Sequence, residues 1–169
     1  MSSLRPMGVA LGSNQGDRLD HLKMGWQWLK SRSRGPVRAS RIYETHPVGC
    51  EPGTESFLNA VGEIHSDEEP LVLLRLMREF ERERGRPESY PRNAPRTLDM
   101  DMLYAGDVIS DTPELVLPHP RLLMRRFVLQ PLCDIRPELI LPGQAQSVGE
   151  IFCSMTDVDD LRVFKDQMD

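Results

Sequence analysis

Residues 96–101 place two acidic side chains two positions apart between apolar ones, and they are the strongest chemical signal in the chain. Side chains alternate between the two faces of a β-strand, so we expect Asp99 and Asp101 on one face while Leu98 and Met100 point into the core. Two carboxylates on one face repel each other, and divalent cations remove that repulsion. The pattern is typical of a Mg²⁺ site in an enzyme of phosphoryl transfer, although a solvated face of an edge strand would look the same.

Arginines are concentrated just before this acidic segment. The chain has 21 basic residues, of which 18 are Arg. The planar guanidinium suits bidentate binding of phosphate, although a GC-rich genome produces the same bias. Arg86, Arg92 and Arg96 lie in a polar, proline-containing stretch, 85–96, that leads directly into the acidic segment. Such a loop could close over a substrate, bring guanidiniums to its phosphates and exclude water, or it could be a solvated surface loop.

Phe57 and Asn59 lie two residues apart in a stretch, 57–65, that alternates as a strand does, so we expect them to share a face. Asn is unfavourable in the middle of a strand unless its amide binds something. A flat heterocycle that stacks on Phe57 and is read at its edge by Asn59 would account for both residues. The alternative is a core Phe beside a solvent-facing Asn, which requires their common face to be partly wet.

A fourth candidate feature is His119, which stands between two prolines and is followed by Arg121, Arg125 and Phe127. A histidine with a constrained backbone and two nearby guanidiniums could form an anion site, although a lone His is more often structural. Residues 12–16 form a glycine turn that lacks the Gly-Lys-Ser/Thr ending of a P-loop. If a nucleotide binds, its phosphates must therefore be held by metal and arginine.

Apolar periodicity predicts the elements that position these side chains. We expect strands over 7–11, 37–45, 57–65 and 98–104, with helices from Asp17 to about residue 30 and from Asp67 or Glu68 to about residue 84. This βαββαβ order indicates an α+β fold, a ferredoxin-like core in which helices pack on an antiparallel sheet. We expect C-terminal additions after the core: a hairpin over 105–109, a helix over 121–133, a short helix over 148–155 and a strand over 161–164.

Length and composition limit the class of protein. A chain of 169 residues is expected to form a single domain over 1–169 with a proper core. The net charge of −5 argues against a general nucleic-acid binder, and we expect no nucleic-acid partner. No apolar run is long enough to span a membrane and no signal peptide is evident, so we expect no membrane association. The three widely spaced cysteines fit reduced thiols in a cytoplasmic protein.

Together these segments resemble the 6-hydroxymethyl-7,8-dihydropterin pyrophosphokinase family. The similarity extends over about residues 7–141, most of the chain, and its most specific part is the Arg-Thr-Leu-Asp-x-Asp motif at 96–101. The segments that carry it are 12–14, 43–49, 57–61, 85–86, 95–101 and 117–121. The resemblance implies the ferredoxin-like fold. It also implies transfer of the terminal diphosphate of ATP to the hydroxymethyl oxygen of the pterin, with release of AMP, in folate synthesis.

The resemblance also assigns roles to individual residues. The metal ligands are Asp99 and Asp101, which would bind two Mg²⁺ ions that span the triphosphate of ATP. Arg86 and Arg96 would assist the transfer. The ATP-binding residues are His119, Arg125 and Glu81; the pterin-binding residues are Thr45, Val48, Phe57, Asn59 and Phe127. The implied partners are these small-molecule substrates, and the protein is expected to be a monomer.

Two other readings of the residues remain open. A different Mg²⁺-dependent phosphotransferase or nucleotidyltransferase would use the same acidic strand with another acceptor, and its products would differ from AMP. A non-catalytic ferredoxin-like sensor or RNA binder is the second, although an acidic strand repels a nucleic-acid backbone. Glu88, Asn93 and Arg126 differ from residues that are common in the family. We expect these differences to weaken or alter the contacts of the loop with ATP without abolishing activity.

Overall fold

A computed structural model of the protein describes residues 3–45, 56–85, 97–156 and 161–169. The first half contains β1 (Arg5–Ser13), α1 (Arg18–Ser31), β2 (Arg38–Ala39), β3 (Ile42–Thr45), β4 (Phe57–Ser66) and α2 (Pro70–Glu83). The second half contains β5 (Asp99–Ala105), β6 (Ser110–Asp111), β7 (Val116–Leu117), α3 (Arg126–Ile135), α4 (Val148–Cys153) and β8 (Leu161–Lys165). None of the helices in the described part of the chain is long and apolar enough to cross a membrane.

The main sheet has the strand order β5-β1-β4-β3-β8, with β2 also paired to β4, and the paired strands are antiparallel. Strands β1, β3, β4 and β5 with helices α1 and α2 form the βαββαβ unit, in which β1 and β4 are central. The predicted ferredoxin-like arrangement is therefore confirmed. The short strand β8 is an addition that extends the sheet beyond β3.

The starting points of helices α1 and α2 are explained by the residues at their N-termini. Asp17 caps α1, since its side chain accepts a hydrogen bond of 3.1 Å from the backbone N–H of Asp20. Helix α2 begins at Pro70, a little later than the predicted Asp67 or Glu68. Proline suits the first turn of a helix because it has no N–H to leave unsatisfied there.

The first face of the sheet packs against α1 and α2. Trp26 and Leu29 of α1 and Met77 of α2 are fully buried against alternate strand residues such as Leu11 and Met100. This alternation determines which residues face the other way. Asp99 and Asp101, on either side of Met100, belong to the second face.

The second face of the sheet is partly covered by α3 and α4, which bury Val61, Leu103, Leu129 and Val148 with it. The prediction of one continuous helix over 121–133 is wrong, because the structure has a break within this stretch. A 3₁₀ turn at Leu122–Met124 is followed by Arg125 in an extended conformation, with φ −110° and ψ 107°, and α3 begins after it. Apolar spacing does not reveal this break, because a 3₁₀ turn followed by a helix keeps nearly the same spacing of buried residues.

The hairpin predicted over 105–109 is also different in the structure. The chain turns at Gly106, where φ is +54°, but residues 108–109 do not form a strand and Ile109 is 73% exposed. Instead, β6 pairs with β7 in a separate two-stranded sheet. Strand β7 then leads through the cis Leu117–Pro118 peptide bond to the segment that carries His119.

Candidate active site

One row of residues crosses four strands of the second face. In the strand register, Asp99 of β5 lies opposite Gly12 of β1, Gly12 lies opposite Asn59 of β4, and Asn59 lies opposite Tyr43 of β3. Directly opposed residues on neighbouring strands point to the same face. An acidic residue and an amide therefore share one surface, and the glycine between them has no side chain.

Asp99 and Asp101 are half-buried, and they alternate with the buried Met100 and Met102. The side chain of Asp101 is 32% exposed, so a ligand can reach it. No group of three or more metal-ligating side chains occurs among the residues that the structure describes. Mg²⁺ in phosphotransferases is usually held by one or two carboxylates together with substrate phosphates, and the aspartate pair fits that donor set.

Helix α2 brings a third acid, Glu81, to the aspartate pair. Glu81 is fully buried and forms an ion pair with Arg78, one turn earlier in the helix. Burial raises the pKa of Glu81 to about 8; the guanidinium of Arg78 opposes this shift, and the charges of Asp99 and Asp101 add to it. Glu81 thus lies within electrostatic reach of both aspartates.

Arg78 joins these groups directly, although the sequence motifs did not single it out. Its Nη1 donates hydrogen bonds to Glu81 and, over 2.7 Å, to the carbonyl oxygen of Met100. Its Nη2 lies 3.6 Å from Oδ1 of Asp101. One signal could have found it: an acid on the apolar face of a predicted helix needs a partner, and a residue three positions away is within reach.

The amide of Asn59 is held in place by its neighbours. Its Nδ2 donates a hydrogen bond of 2.9 Å to Oγ1 of Thr45, and the residue is only 8% exposed. Phe57 is half-buried on the same face, directly opposite Thr45. Tyr43, on the other side of Asn59, donates a hydrogen bond of 2.8 Å to Asp134 of α3. The arrangement fixes an aromatic ring, an amide and a hydroxyl beside one another.

His119 is tied to the acidic strand by its backbone. Its N–H donates a hydrogen bond of 2.8 Å to the carbonyl oxygen of Leu103, and its Nδ1 accepts one of 3.1 Å from the N–H of Arg121. Burial, with the positive charges of Arg125 and Arg121, lowers the pKa of His119 against the opposing charge of Asp99. The neutral ring that results has its proton on Nε2, where it can donate to an anion.

Arg125 and Phe127 lie at the start of α3, beside the His119 segment. The guanidinium of Arg125 stands over the ring of Phe127, 5.7 Å from its centroid. Helix α3 packs on β4, the strand that carries Phe57, so the two phenylalanines lie on elements in contact. The candidate residues Arg86, Arg96 and Val48 lie outside the described residues, as do Glu88, Asn93 and nearly all of the predicted loop over 85–96.

Comparison with known proteins identifies the family of this chain. A family model described as 7,8-dihydro-6-hydroxymethylpterin-pyrophosphokinase (HPPK) matches residues 8–137. The chain belongs to this family. Over 158 residues it is 37% identical to the Bacillus subtilis protein named 2-amino-4-hydroxy-6-hydroxymethyldihydropteridine pyrophosphokinase. That match covers 93% of this chain and 89% of the Bacillus subtilis protein. A Pseudomonas aeruginosa protein of the same name is 37% identical over 139 residues, covering 79% of this chain and 82% of that protein.

Members of the pyrophosphokinase family also occur as parts of longer chains. The structure is similar to that of wild-type Plasmodium falciparum HPPK-DHPS with pteroate, with a TM-score of 0.68 and 13% identity. The match covers 90% of this chain and 42% of that one, and at so low an identity it supports the fold alone. The chain spans less than half of that protein, whereas it spans most of the Bacillus subtilis relative. The family model and the Bacillus subtilis relative together show that this chain is an enzyme of the pterin pyrophosphokinase family.

Proposed function

We propose that the protein transfers the terminal diphosphate of ATP to the hydroxymethyl oxygen of 6-hydroxymethyl-7,8-dihydropterin, giving the pterin diphosphate and AMP in tetrahydrofolate synthesis. The row of Asp99, Gly12 and Asn59 across three adjacent strands carries this proposal. Asp99 and Asn59 are two strand spacings apart, roughly 9–10 Å at their Cα atoms. That separation suits a phosphate-binding end and a heterocycle-binding end of one substrate pocket.

Asp99 and Asp101 would hold two Mg²⁺ ions at the phosphate end of the pocket. Both carboxylates lie on one strand face, and Asp101 is accessible. When bound, the ions supply charge neutralisation for the triphosphate and for the leaving oxygen. The protein's own contribution is to keep the two carboxylates side by side on a strand whose other face is anchored in the core.

His119, Arg125 and Glu81 would bind the nucleotide. The neutral His119 can donate from Nε2 to a phosphate oxygen, and Arg125 adds a guanidinium at the start of α3. Glu81, buried beside the aspartates, would lie near the nucleotide as the third acid of the cluster. Arg86 and Arg96 would approach the transferred diphosphate from the segment that joins α2 to β5.

Phe57 and Phe127 would stack on the pterin, while Asn59, Thr45 and the backbone near Val48 would read its edge. Asn59 donates its Nδ2 to Thr45, which leaves Oδ1 as an acceptor for the ligand. Oδ1 lies toward Gly12, the side of the aspartates. The edge of a pterin presents amino and ring N–H donors, which match that acceptor.

The reaction needs alignment more than covalent help. The pterin oxygen attacks the β-phosphorus in line with the departing AMP oxygen, so no nucleophile on the protein is required. Water would compete with the pterin for the diphosphate, and its exclusion from the pocket is part of the proposed function. We further propose that residues 1–169 act as one domain and as a monomer, which sedimentation would check.

The test is to incubate the protein with ATP, Mg²⁺ and the hydroxymethyl dihydropterin and to measure AMP by chromatography. We expect AMP to form only when the pterin is present. Asp99→Ala and Asp101→Ala should each abolish it without unfolding the protein, whereas Asp111→Ala, an exposed acid on β6, should not change it. ADP or free diphosphate as the product would instead favour another phosphotransferase or a nucleotidyltransferase.

A further inference from the structure

We propose that Arg78 is a positioning residue that serves as the resident counter-charge of the acidic cluster, and that it weakens divalent metal binding until a nucleotide is present. This inference rests on the proposed function of Asp99 and Asp101 as metal ligands. It concerns a residue on α2, an element that contributes no proposed metal ligand.

Two firm hydrogen bonds hold the guanidinium where it is. Nη1 of Arg78 donates to the carboxylate of Glu81 and, over 2.7 Å, to the carbonyl oxygen of Met100. Met100 stands between the two aspartates in β5. The guanidinium therefore ties the last turns of α2 to the middle of the acidic segment.

The contact with Asp101 is of a different kind. Nη2 of Arg78 lies 3.6 Å from Oδ1 of Asp101, which is beyond hydrogen-bond distance but well within range of a strong charge interaction. The two side chains are 35% and 32% exposed. A positive charge held at this distance reduces the repulsion within the acidic cluster when no metal is there.

The same positive charge opposes a divalent cation on Asp101. A metal ion that binds this carboxylate must tolerate a fixed guanidinium nearby, and the cost falls when the triphosphate brings further negative charge to the site. Arg78 would thus make metal binding depend on the nucleotide. A purely structural residue at this position would have the opposite effect when removed, since a looser aspartate pair binds metal more weakly.

The experiment measures binding of Mn²⁺ by electron paramagnetic resonance to the nucleotide-free protein and its variants. We expect Arg78→Gln to bind Mn²⁺ about tenfold more tightly than the wild type, because the positive charge is gone. Arg78→Lys keeps the charge and should bind close to the wild type. Arg75→Gln is the matched control: Arg75 lies one turn earlier on α2, pairs with the exposed Glu114, and should leave Mn²⁺ binding unchanged.

Equal or weaker Mn²⁺ binding by Arg78→Gln, or binding by neither it nor the wild type, would overturn the inference. If Arg78→Gln does not fold, Arg78→Met tests the same loss of charge with a side chain of similar length. A second arm adds a non-hydrolysable ATP analogue and compares the wild type with Asp101→Asn. If Asp101→Asn then binds Mn²⁺ as well as the wild type does, the proposed metal site is wrong; if it does not, only the role of Arg78 is in question.

Discussion

Glu81 and Glu63 are both fully buried acids paired with an arginine, yet their surroundings differ. Glu63, on β4, accepts hydrogen bonds of 2.6 Å from the hydroxyl of Tyr104 and from Nη1 of Arg136. Both of its neighbours are donors. Glu81 has a guanidinium, Arg78, as its ion-pair partner, but its other charged neighbours include acids. Both donors to Glu63 reach its Oε2, and its Oε1 has no hydrogen-bond partner among the described residues. Glu63 thus has donors as its neighbours, whereas Glu81 also has acids nearby.

We interpret the difference as that between a structural carboxylate, Glu63, and a carboxyl group of the proposed site, Glu81. Tyr104 can reach Glu63 because Gly8 leaves room: a Cβ on Gly8 would stand 2.3 Å from Cε1 of the tyrosine ring. The packing of Gly8 against Tyr104 therefore allows the tyrosine hydroxyl to reach Glu63. At Glu81, burial raises the pKa of the carboxyl group, the guanidinium of Arg78 opposes this shift, and the charges of Asp99 and Asp101 add to it. Crowded like charges are expected where a cationic ligand completes the site.

The largest effect at a single pH is expected from breaking the hydrogen bonds of Glu63. Glu63→Gln leaves Arg136 facing a neutral amide in a largely buried position, so we expect the free energy of unfolding to fall by about 2–3 kcal/mol. Urea denaturation at neutral pH measures it. The turnover rate of the folded variant should match that of the wild type. A loss of rate at unchanged stability would mean that Glu63 belongs to the site and would remove the contrast with Glu81.

Glu81 should make stability depend on pH in the direction opposite to that of an ordinary salt-bridged acid. Its pKa is about 8 in the folded protein, against an ordinary value near 4.5 when unfolded. The folded state therefore holds the proton more tightly, and this contribution is complete below pH 4.5 and is lost as the pH rises toward 8. Relative to Glu81→Gln, the wild type should lose up to about 1.4 kcal/mol per pH unit in this window.

Denaturation of the two proteins between pH 5 and pH 8, without metal, checks this expectation. Glu79→Gln removes an exposed acid from the same helix and serves as the control, since it should run parallel to the wild type. A pH-independent difference between the wild type and Glu81→Gln would show that neither burial nor the aspartates raise the pKa of Glu81 in the folded protein.

Two glycines on opposite faces of the sheet allow the substitutions with the smallest expected effects. They distinguish the proposed substrate-binding surface from the packed core. A Cβ on Gly12 would lie 3.5 Å from Oδ1 of Asn59, an ordinary contact, and on the floor of the proposed pocket. We expect Gly12→Ala to keep its stability within about 0.5 kcal/mol and to raise the KM for the pterin about tenfold. Steady-state kinetics and thermal unfolding measure the two quantities.

Gly62→Ala is the matched substitution on the core face. Its Cβ would stand 2.4 Å from Cζ3 of Trp26, so we expect a loss of about 1–3 kcal/mol of stability from overpacking. The pterin KM of the folded fraction should not change. If Gly12→Ala instead destabilised the protein and left the KM unaltered, the row from Asp99 to Asn59 would be scaffold and not a substrate floor.

Local features of this chain could be predicted from its sequence because they depend on near neighbours. The alternation that puts Asp99 and Asp101 on one strand face follows from the geometry of any β-strand. The start of α1 at Asp17 follows from a side chain that can cap its own helix. The order of helices and strands was enough to predict the ferredoxin-like core, and the motif at 96–101 together with the other matching segments was enough to predict the family.

Features that depend on register and packing were decided only by the tertiary structure. That Gly12 separates Asp99 from Asn59 depends on how β1 aligns with β5 and β4, and one residue of slippage would turn each side chain to the other face. The contact of Arg78 with Asp101 depends on the packing of α2 against β5. The sequence by itself determined which side chains have the chemistry proposed for binding metal, anion and heterocycle. The fold determined which of them meet, because contacts between distant segments exist only once the sheet has formed.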